Sequence, residues 1–185
     1  ARKYPVVIDP TSVTSIIQAI NYAPCGGIRR VVYSTSSSAW YAVYEQSDVF
    51  FEKCTSASLC NEDGDWINRT DLDTGDTDNF SPTLYYQGPL IWVAWVDNST
   101  DDVMFKSIDT SNSDTLGNVC DSADQGTLDG TNTVSSILRT ADGDVYVAYF
   151  DTSTDAELDI FKIASANLSN CTNGTNWTDI SALGS

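Results

Sequence analysis

Histidine is absent from the 185-residue chain, and methionine occurs once. Without imidazole there is no histidine-based acid–base pair and no histidine metal ligand. Positive charge is also scarce: nine Lys and Arg stand against 26 Asp and Glu, for a net charge of -17. A surface of that sign repels nucleic acid phosphates and anionic lipid, so neither nucleic acid nor membrane insertion is expected. Solubility is the plain reading of the charge, with bound cations or a salty surrounding as the sharper ones. No run of about 18 apolar residues occurs, so no helix of bilayer length is encoded in the chain.

What the chain does contain is strand-forming residues in a repeating order. Hydrophobic residues make up 41%, which excludes a disordered chain, and Val, Ile, Thr, Tyr and Trp suit strands. One phrase occurs three times, as Trp40-Tyr-Ala-Val-Tyr44, Ile91-Trp-Val-Ala-Trp95 and Val145-Tyr-Val-Ala-Tyr149, with starts 51 and then 54 residues apart. A strand-like run precedes each copy and another follows it. The predicted strands are 29–34, 39–45, 48–54 and 65–71 in the first unit, 82–87, 90–97, 102–108 and a weak 126–129 in the second, and 134–140, 144–150, 157–164 and 175–181 in the third. Gly88-Pro89 and Asp142-Gly143 supply turns between first and second strands. Asp97 to Asp101 and Asp151 to Asp155 supply matching hairpin tips.

The second strand of each unit is apolar at nearly every position, as a strand buried on both faces requires. Four-stranded antiparallel units of this kind, packed face to face at a fixed period, describe an all-β, β-propeller-like array of blades. A β-sandwich explains the strands but not the period, and a stacked solenoid is the other alternative. Three complete repeats, about 28–80, 81–133 and 134–185, fall short of a closed propeller, which usually needs four or more blades. An incomplete propeller, or one completed by assembly, is therefore expected. Residues 1–27 read as N-terminal strands, either a partial blade or an exchanged strand. A first residue of Ala fits a processed secretory product, and fits a piece of a longer protein equally.

Cysteine and asparagine favour a location outside the cell. Cys54 and Cys60 enclose five residues between two predicted strands, a spacing that closes a tight loop, and a disulfide is expected there. Cys120 and Cys171 occupy the place of Cys60 in later repeats and lack a local mate; Cys25 joining one of them and a link between chains both stand open. Sequons begin at Asn68, Asn98, Asn167, Asn170, Asn173 and Asn176. With the cysteines they favour a secreted or cell-surface glycoprotein.

The ends of the repeats carry a resemblance. Cys54-Thr-Ser-Ala-Ser-Leu-Cys60-Asn-Glu-Asp-Gly-Asp-Trp66 and Cys171-Thr-Asn-Gly-Thr-Asn-Trp177 resemble the degenerate Asp-box of sialidase-like, or BNR-repeat, propellers, in a secreted bacterial variety with a Cys pair bracketing the loop. Ser81-Pro-Thr-Leu through Val93-Ala-Trp-Val-Asp97 is similar to the stretch between such boxes. The likeness covers about residues 28–185. No box is intact, and the second unit, Cys120-Asp-Ser-Ala-Asp-Gln-Gly126, lacks the Trp. The resemblance implies a fold; such boxes are structural turns away from an active site, so it implies little about activity.

Chemistry-bearing residues are sparse. The sialidase pattern of three convergent arginines is not met by Arg2, Arg29, Arg30, Arg69 and Arg139, and no catalytic residue is assigned. Asp71, Asp73, Asp76 and Asp78 flank Gly75, a spacing that reads either as a calcium site, with calcium as the one cofactor suggested, or as a solvated loop. Asp121, Asp124 and Asp129 occupy the equivalent loop of the next repeat. Trp66, Trp177, Tyr85 and Tyr86 read as core aromatics or as platforms for glycans. The expectation is thus a secreted, non-catalytic protein of extracellular assembly or adhesion, such as a filament or surface-structure subunit, whose partners are copies of itself or other propeller blades, and which is not an enzyme. The alternative is a fragment of a sialidase-like glycoside hydrolase or a glycan-binding propeller.

Overall fold

The computed structural model describes residues 31–45, 48–55, 60, 63–74, 79–97, 102–121, 133–151 and 157–181. Among the described residues, thirteen strands form three antiparallel sheets. The first holds β1 (Val31–Ser34), β2 (Ala39–Glu45), β3 (Val49–Thr55) and β4 (Trp66–Asp71) in that order. The second holds β5 (Asn79–Gln87), β6 (Leu90–Asp97), β7 (Asp102–Asp109) and β8 (Thr115–Leu116), with β9 (Cys120–Asp121) also paired to β7. The third runs β10 (Thr133–Arg139), β11 (Val145–Asp151), β12 (Glu157–Ile163), β13 (Trp177–Asp179). Each sheet is thus one sequence repeat, and the all-β expectation holds.

The fourth strand of the second sheet departs from expectation. Its place is taken by the two short pieces β8 and β9, upstream of the predicted 126–129, which lies outside the described residues. Gly117 lets this segment run against β7. Its N–H donates to the Ser107 carbonyl at 2.8 Å, and a Cβ there would sit 2.4 Å from Ser107 Oγ. In β5 the pairing with β6 shifts between Phe80 and Thr83. Pro82 lies in that bulge, where its missing N–H costs no ladder bond, and Ser81 takes a positive φ of 60°.

Stacking of the sheets follows from alternation along the second strands. Tyr41 and Val43 of β2 pack with Ile91, Val93 and Trp95 of β6 in one core. Trp92, Ala94 and Val96, on the opposite face of β6, pack with Val145, Val147 and Tyr149 of β11 in another. β6 is therefore buried on both faces, which is why Leu90–Asp97 carries no alternation of polar and apolar residues. The first strands come together too, with β5 against both β1 and β10. This is the radial packing of blades.

Cys54 and Cys60 are disulfide-bonded, with Cα atoms 5.8 Å apart. Cys120 and Cys171 are bonded to each other, with Cα atoms 4.9 Å apart, so neither takes the partner that the sequence reading allowed. The physical reason is radial stacking. Equivalent places in adjacent repeats lie side by side, and these two cysteines are 51 residues apart, one repeat. Cys25 and residues 1–27 lie outside the described residues.

Candidate functional site

The junction between the first and second sheets concentrates the polar chemistry of the described residues. At one end lie the connections leaving β2, β4 and β6, and carboxylates gather on the strand ends: Glu45 at the end of β2, Asp48 before β3, Asp71 closing β4 and Asp97 closing β6. Glu45 Oε2 accepts from Ser81 N–H at 3.1 Å, tying the first sheet to the bulge of the second. Asp48 Oδ1 accepts from Val49 N–H at 2.7 Å, and Asp71 Oδ1 from Asp73 N–H at 2.8 Å. Asp48 and Asp97 are buried.

Lys106 of β7 reaches into this end and donates from Nζ to the Leu72 carbonyl. Burial pulls its ammonium below the ordinary lysine range, against the opposing pull of Asp73 and Asp71. The segment read as a calcium loop thus has a lysine beside its first two carboxylates. Asp76 and Asp78 lie outside the described residues, as do Asp124 and Asp129. Among the described residues no group of three or more acidic or cysteine side chains is placed to hold a metal ion.

The opposite end of the same junction carries a tyrosine in a cradle of donors. Tyr86, next to last in β5, brings its phenol oxygen to the turn between β1 and β2. Thr35 N–H donates to it at 3.0 Å, Ser34 Oγ at 3.3 Å, and Thr35 Oγ1 lies at 3.2 Å. Ser34 Oγ is 2.7 Å from Thr110 Oγ1, which in turn donates to the Pro89 carbonyl at 2.6 Å. Partial burial raises the phenol, but the hydrogen bonds from Ser34, Thr35 and Ser36 together outweigh it and bring Tyr86 down to about 8. Towards the outer strands, Asp114 closes the junction. It accepts from Tyr41 Oη at 2.5 Å and pairs with Lys53 Nζ at 2.8 Å.

The remaining sites are dispersed. Trp177 is buried, its ring edge-on to Phe105 at 5.3 Å and its Nε1 donating to the Cys171 carbonyl at 2.9 Å, so it packs between sheets and offers no open face. Trp66, Tyr85 and Tyr86 are half-buried. Among the sequons, Asn68 is exposed on β4 with a positive φ of 59°. Asn170 and Asn173 are exposed, and Asn167 and Asn176 are half-buried. Asn173 Oδ1 accepts from Thr175 N–H at 3.1 Å, and Asn176 Nδ2 donates to the Asn170 carbonyl at 2.7 Å. Asn98 lies outside the described residues. Tyr86, Lys106 and Asp114 were not singled out for these roles from sequence. The available signal was the repeat itself, because Tyr86 meets Ser34 and Thr35 across 52 and 51 residues.

No family model matches the chain, and no curated protein does. Solved structures do resemble it. An α-L-arabinofuranosidase from Lactobacillus brevis superposes with a TM-score of 0.51 at 13% identity, over 82% of this chain and 53% of that one. An α-L-arabinofuranosidase from Podospora anserina gives 0.49 at 10% identity, over 76% and 48%. An endo-arabinase from Bacteroides thetaiotaomicron gives 0.46 at 13% identity, over 82% and 59%. The chain spans about half the length of the solved structures it resembles. The first of these likenesses establishes the propeller-like fold. It also corrects two expectations, the non-catalytic assembly or adhesion role and the absence of enzyme character. The fold the chain shares is one on which a glycosidase is built, and the alternative of a glycoside hydrolase fragment or glycan-binding propeller fits better.

Proposed function

We propose that this chain forms part of a secreted glycan-degrading protein, a glycoside hydrolase directed at arabinofuranose-containing polysaccharides, with sugar engaged at the carboxylate-bearing end of the junction between the first and second sheets. The observation that carries this reading is the superposition of 82% of the chain on an α-L-arabinofuranosidase. The chemistry agrees with it. Glycosidic bonds are cut by paired carboxylates, and Glu45, Asp48, Asp71 and Asp97 sit on strand ends of two adjoining sheets. The two disulfides, and the lack among the described residues of any helix long and apolar enough to cross a membrane, accord with secretion. A glycan-binding propeller without turnover is the second reading, favoured by the ties of Glu45, Asp48 and Asp71 to backbone N–H groups. Both are tested by incubating the protein with 4-nitrophenyl α-L-arabinofuranoside and with arabinan, and by calorimetry with arabino-oligosaccharides. Turnover that falls in Glu45→Gln or Asp97→Asn supports hydrolysis. Saturable binding without turnover supports the second reading. Neither binding nor turnover removes both.

A further inference from the structure

We infer that Asn68 carries an N-linked glycan, while the sequons at Asn173 and Asn176 stay bare. The inference rests on the secreted part of the reading above and not on hydrolysis. A glycan in a folded protein needs an asparagine amide that reaches solvent and has no other task, and the fold divides the sequons by that rule.

Asn68 satisfies it. It is exposed on β4, where Phe51 pairs with Thr70 and Lys53 with Ile67, so Glu52 of β3 stands opposite both Asn68 and Arg69. This is a β-bulge. The bulge accounts for asparagine through its backbone, because φ is 59° and Asn tolerates the left-handed region better than most residues. That role leaves the side chain unused. The Asn68 carbonyl accepts from Thr70 Oγ1 at 2.9 Å, and among the described residues the Asn68 amide makes no hydrogen bond. The same bond folds the third residue of the sequon back onto the first. Arg69, the middle residue, is held over the Phe50 ring at 3.9 Å.

The later sequons are committed to the fold. Asn173 Oδ1 accepts from the N–H and the hydroxyl of Thr175, at 3.1 and 2.9 Å, and caps the short helical turn Gly174–Asn176. Asn176 Nδ2, the atom a sugar would take, donates to the Asn170 carbonyl at 2.7 Å. Asn167 is half-buried. Asn170 is exposed, but it carries that bond from Asn176, and Cys171 in the middle of its sequon is buried and bonded to Cys120.

The step is a group transfer. Asn68 Nδ2 bonds to the anomeric carbon of a sugar carried on a lipid pyrophosphate, the bond from that carbon to the pyrophosphate oxygen breaks, and the amide gives up one proton. The lipid pyrophosphate leaves, and nothing is oxidised or reduced. β4 lies at the end of its sheet's order, and Ile67 beside the acceptor is 44% exposed. A glycan here shields an apolar side chain and guards a strand edge against pairing with other chains.

The test is glycopeptide mass spectrometry on chymotryptic digests of the protein, recovered from the medium of cells that secrete it and hold the lipid-linked donor. The expected result is a glycan on Asn68, none on Asn173 or Asn176, loss of the glycan in Thr70→Val and its retention in Thr70→Ser. Asn68→Gly, which keeps the positive φ and removes the amide, should fold and also lose it. Bare Asn68, a glycan on Asn173 or Asn176, or a glycan on Asn68 in Thr70→Val would each overturn the inference. The same digests separate it from the reading it rests on. Bare Asn68 with both disulfides formed defeats this inference alone, whereas bare Asn68 with Cys54, Cys60, Cys120 and Cys171 as free thiols defeats secretion as well.

Discussion

Removing the Cys120–Cys171 bridge should loosen this chain more than any change at Cys54–Cys60. The bridge joins residues 51 apart, whereas the other joins residues six apart. By chain entropy the longer loop restrains the unfolded state by about 4 kcal/mol and the shorter by about 2 kcal/mol. Against a stability of about 5–15 kcal/mol for an ordinary domain, the first figure is a large fraction. With a urea dependence of about 2 kcal/mol per molar, the midpoint should fall by about 2 M. Truncation to alanine also empties buried sulfur volume, since both cysteines are buried. The cleaner measurement therefore starts from a Cys54→Ala, Cys60→Ala background and compares urea curves with and without reductant, so that the long bridge alone is broken while its sulfurs remain. Tryptophan fluorescence is a suitable signal because Trp177 donates to the Cys171 carbonyl. A midpoint shift below about 0.5 M would refute the reasoning, because it would mean that the bridge does little to restrain the unfolded chain.

Three further outcomes are expected. Tyr86 should ionise near pH 8 in the folded protein, ahead of the unfolded phenol at about 10, so stability should rise with pH between those values; an absorbance step at 295 nm near pH 8 that persists in Tyr86→Phe would rule this out. Gly143→Ala should destabilise by about 1–2 kcal/mol, because φ there is +96° and a Cβ would lie 3.0 Å from both Arg139 Nη2 and Ser165 Cβ; an unchanged urea midpoint would contradict it. Asp114→Ala should cost about 2 kcal/mol, since it takes the carboxylate from Lys53 and leaves Tyr41 only Ser37 as acceptor; Lys53→Met in the same background should then recover part of the loss, and no recovery would show that the ion pair is not the tie.

Most strand positions were legible because a twofold-buried strand leaves a mark that survives divergence. Leu90–Asp97 could not be a surface strand, and its copies at Ala39–Glu45 and Val145–Asp151 fixed the period. The fourth strand of the second unit was not legible. β8 and β9 are two residues each, too short to carry a pattern, and what holds them is backbone contact at Gly117. The Cys120–Cys171 pairing was hidden for a different reason: spacing within a repeat joins Cys54 to Cys60 but offers Cys120 and Cys171 no local mate, leaving Cys25 or another chain open, while stacking brings together places one repeat apart. The same offset hides the Tyr86 cradle. Its members are unremarkable as residue types and meet only because Ser34 and Tyr86 sit near corresponding strand ends of neighbouring sheets. Of the acids on the strand ends, Asp97 reads in the sequence as a turn residue and Asp71 as part of a calcium or solvated loop, while Glu45 and Asp48 carry no motif; only the sheets place all four at one junction.

The two junctions are held by different chemistry, and this predicts different failure conditions for each half of the stack. Between the second and third sheets the covalent tie is Cys120–Cys171, with Phe105 packed on Trp177 and Arg139 over Trp92. Between the first and second sheets there is no such bridge among the described residues, and beside the apolar core the ties are hydrogen bonds and an ion pair. Burial, with Asp114 accepting its hydroxyl proton, raises Tyr41 above its ordinary range. Burial lowers Lys53, but Asp114 and Tyr41 outweigh it and raise Lys53. Both groups therefore hold their protons longer when folded than when unfolded. Their contribution is complete below the unfolded values and is lost as pH rises through the folded ones, above about 10. Tyr86, at the other end of the same junction, works in the opposite sense below that pH. The first junction should thus strengthen from about pH 8 to 10 and weaken beyond it, while reductant acts on the second at any of these values. Hydrogen exchange followed sheet by sheet would separate the two. Loss of protection in the first sheet on reduction of the long bridge alone, before the third sheet responds, would show that the stack does not come apart at the junction its chemistry selects.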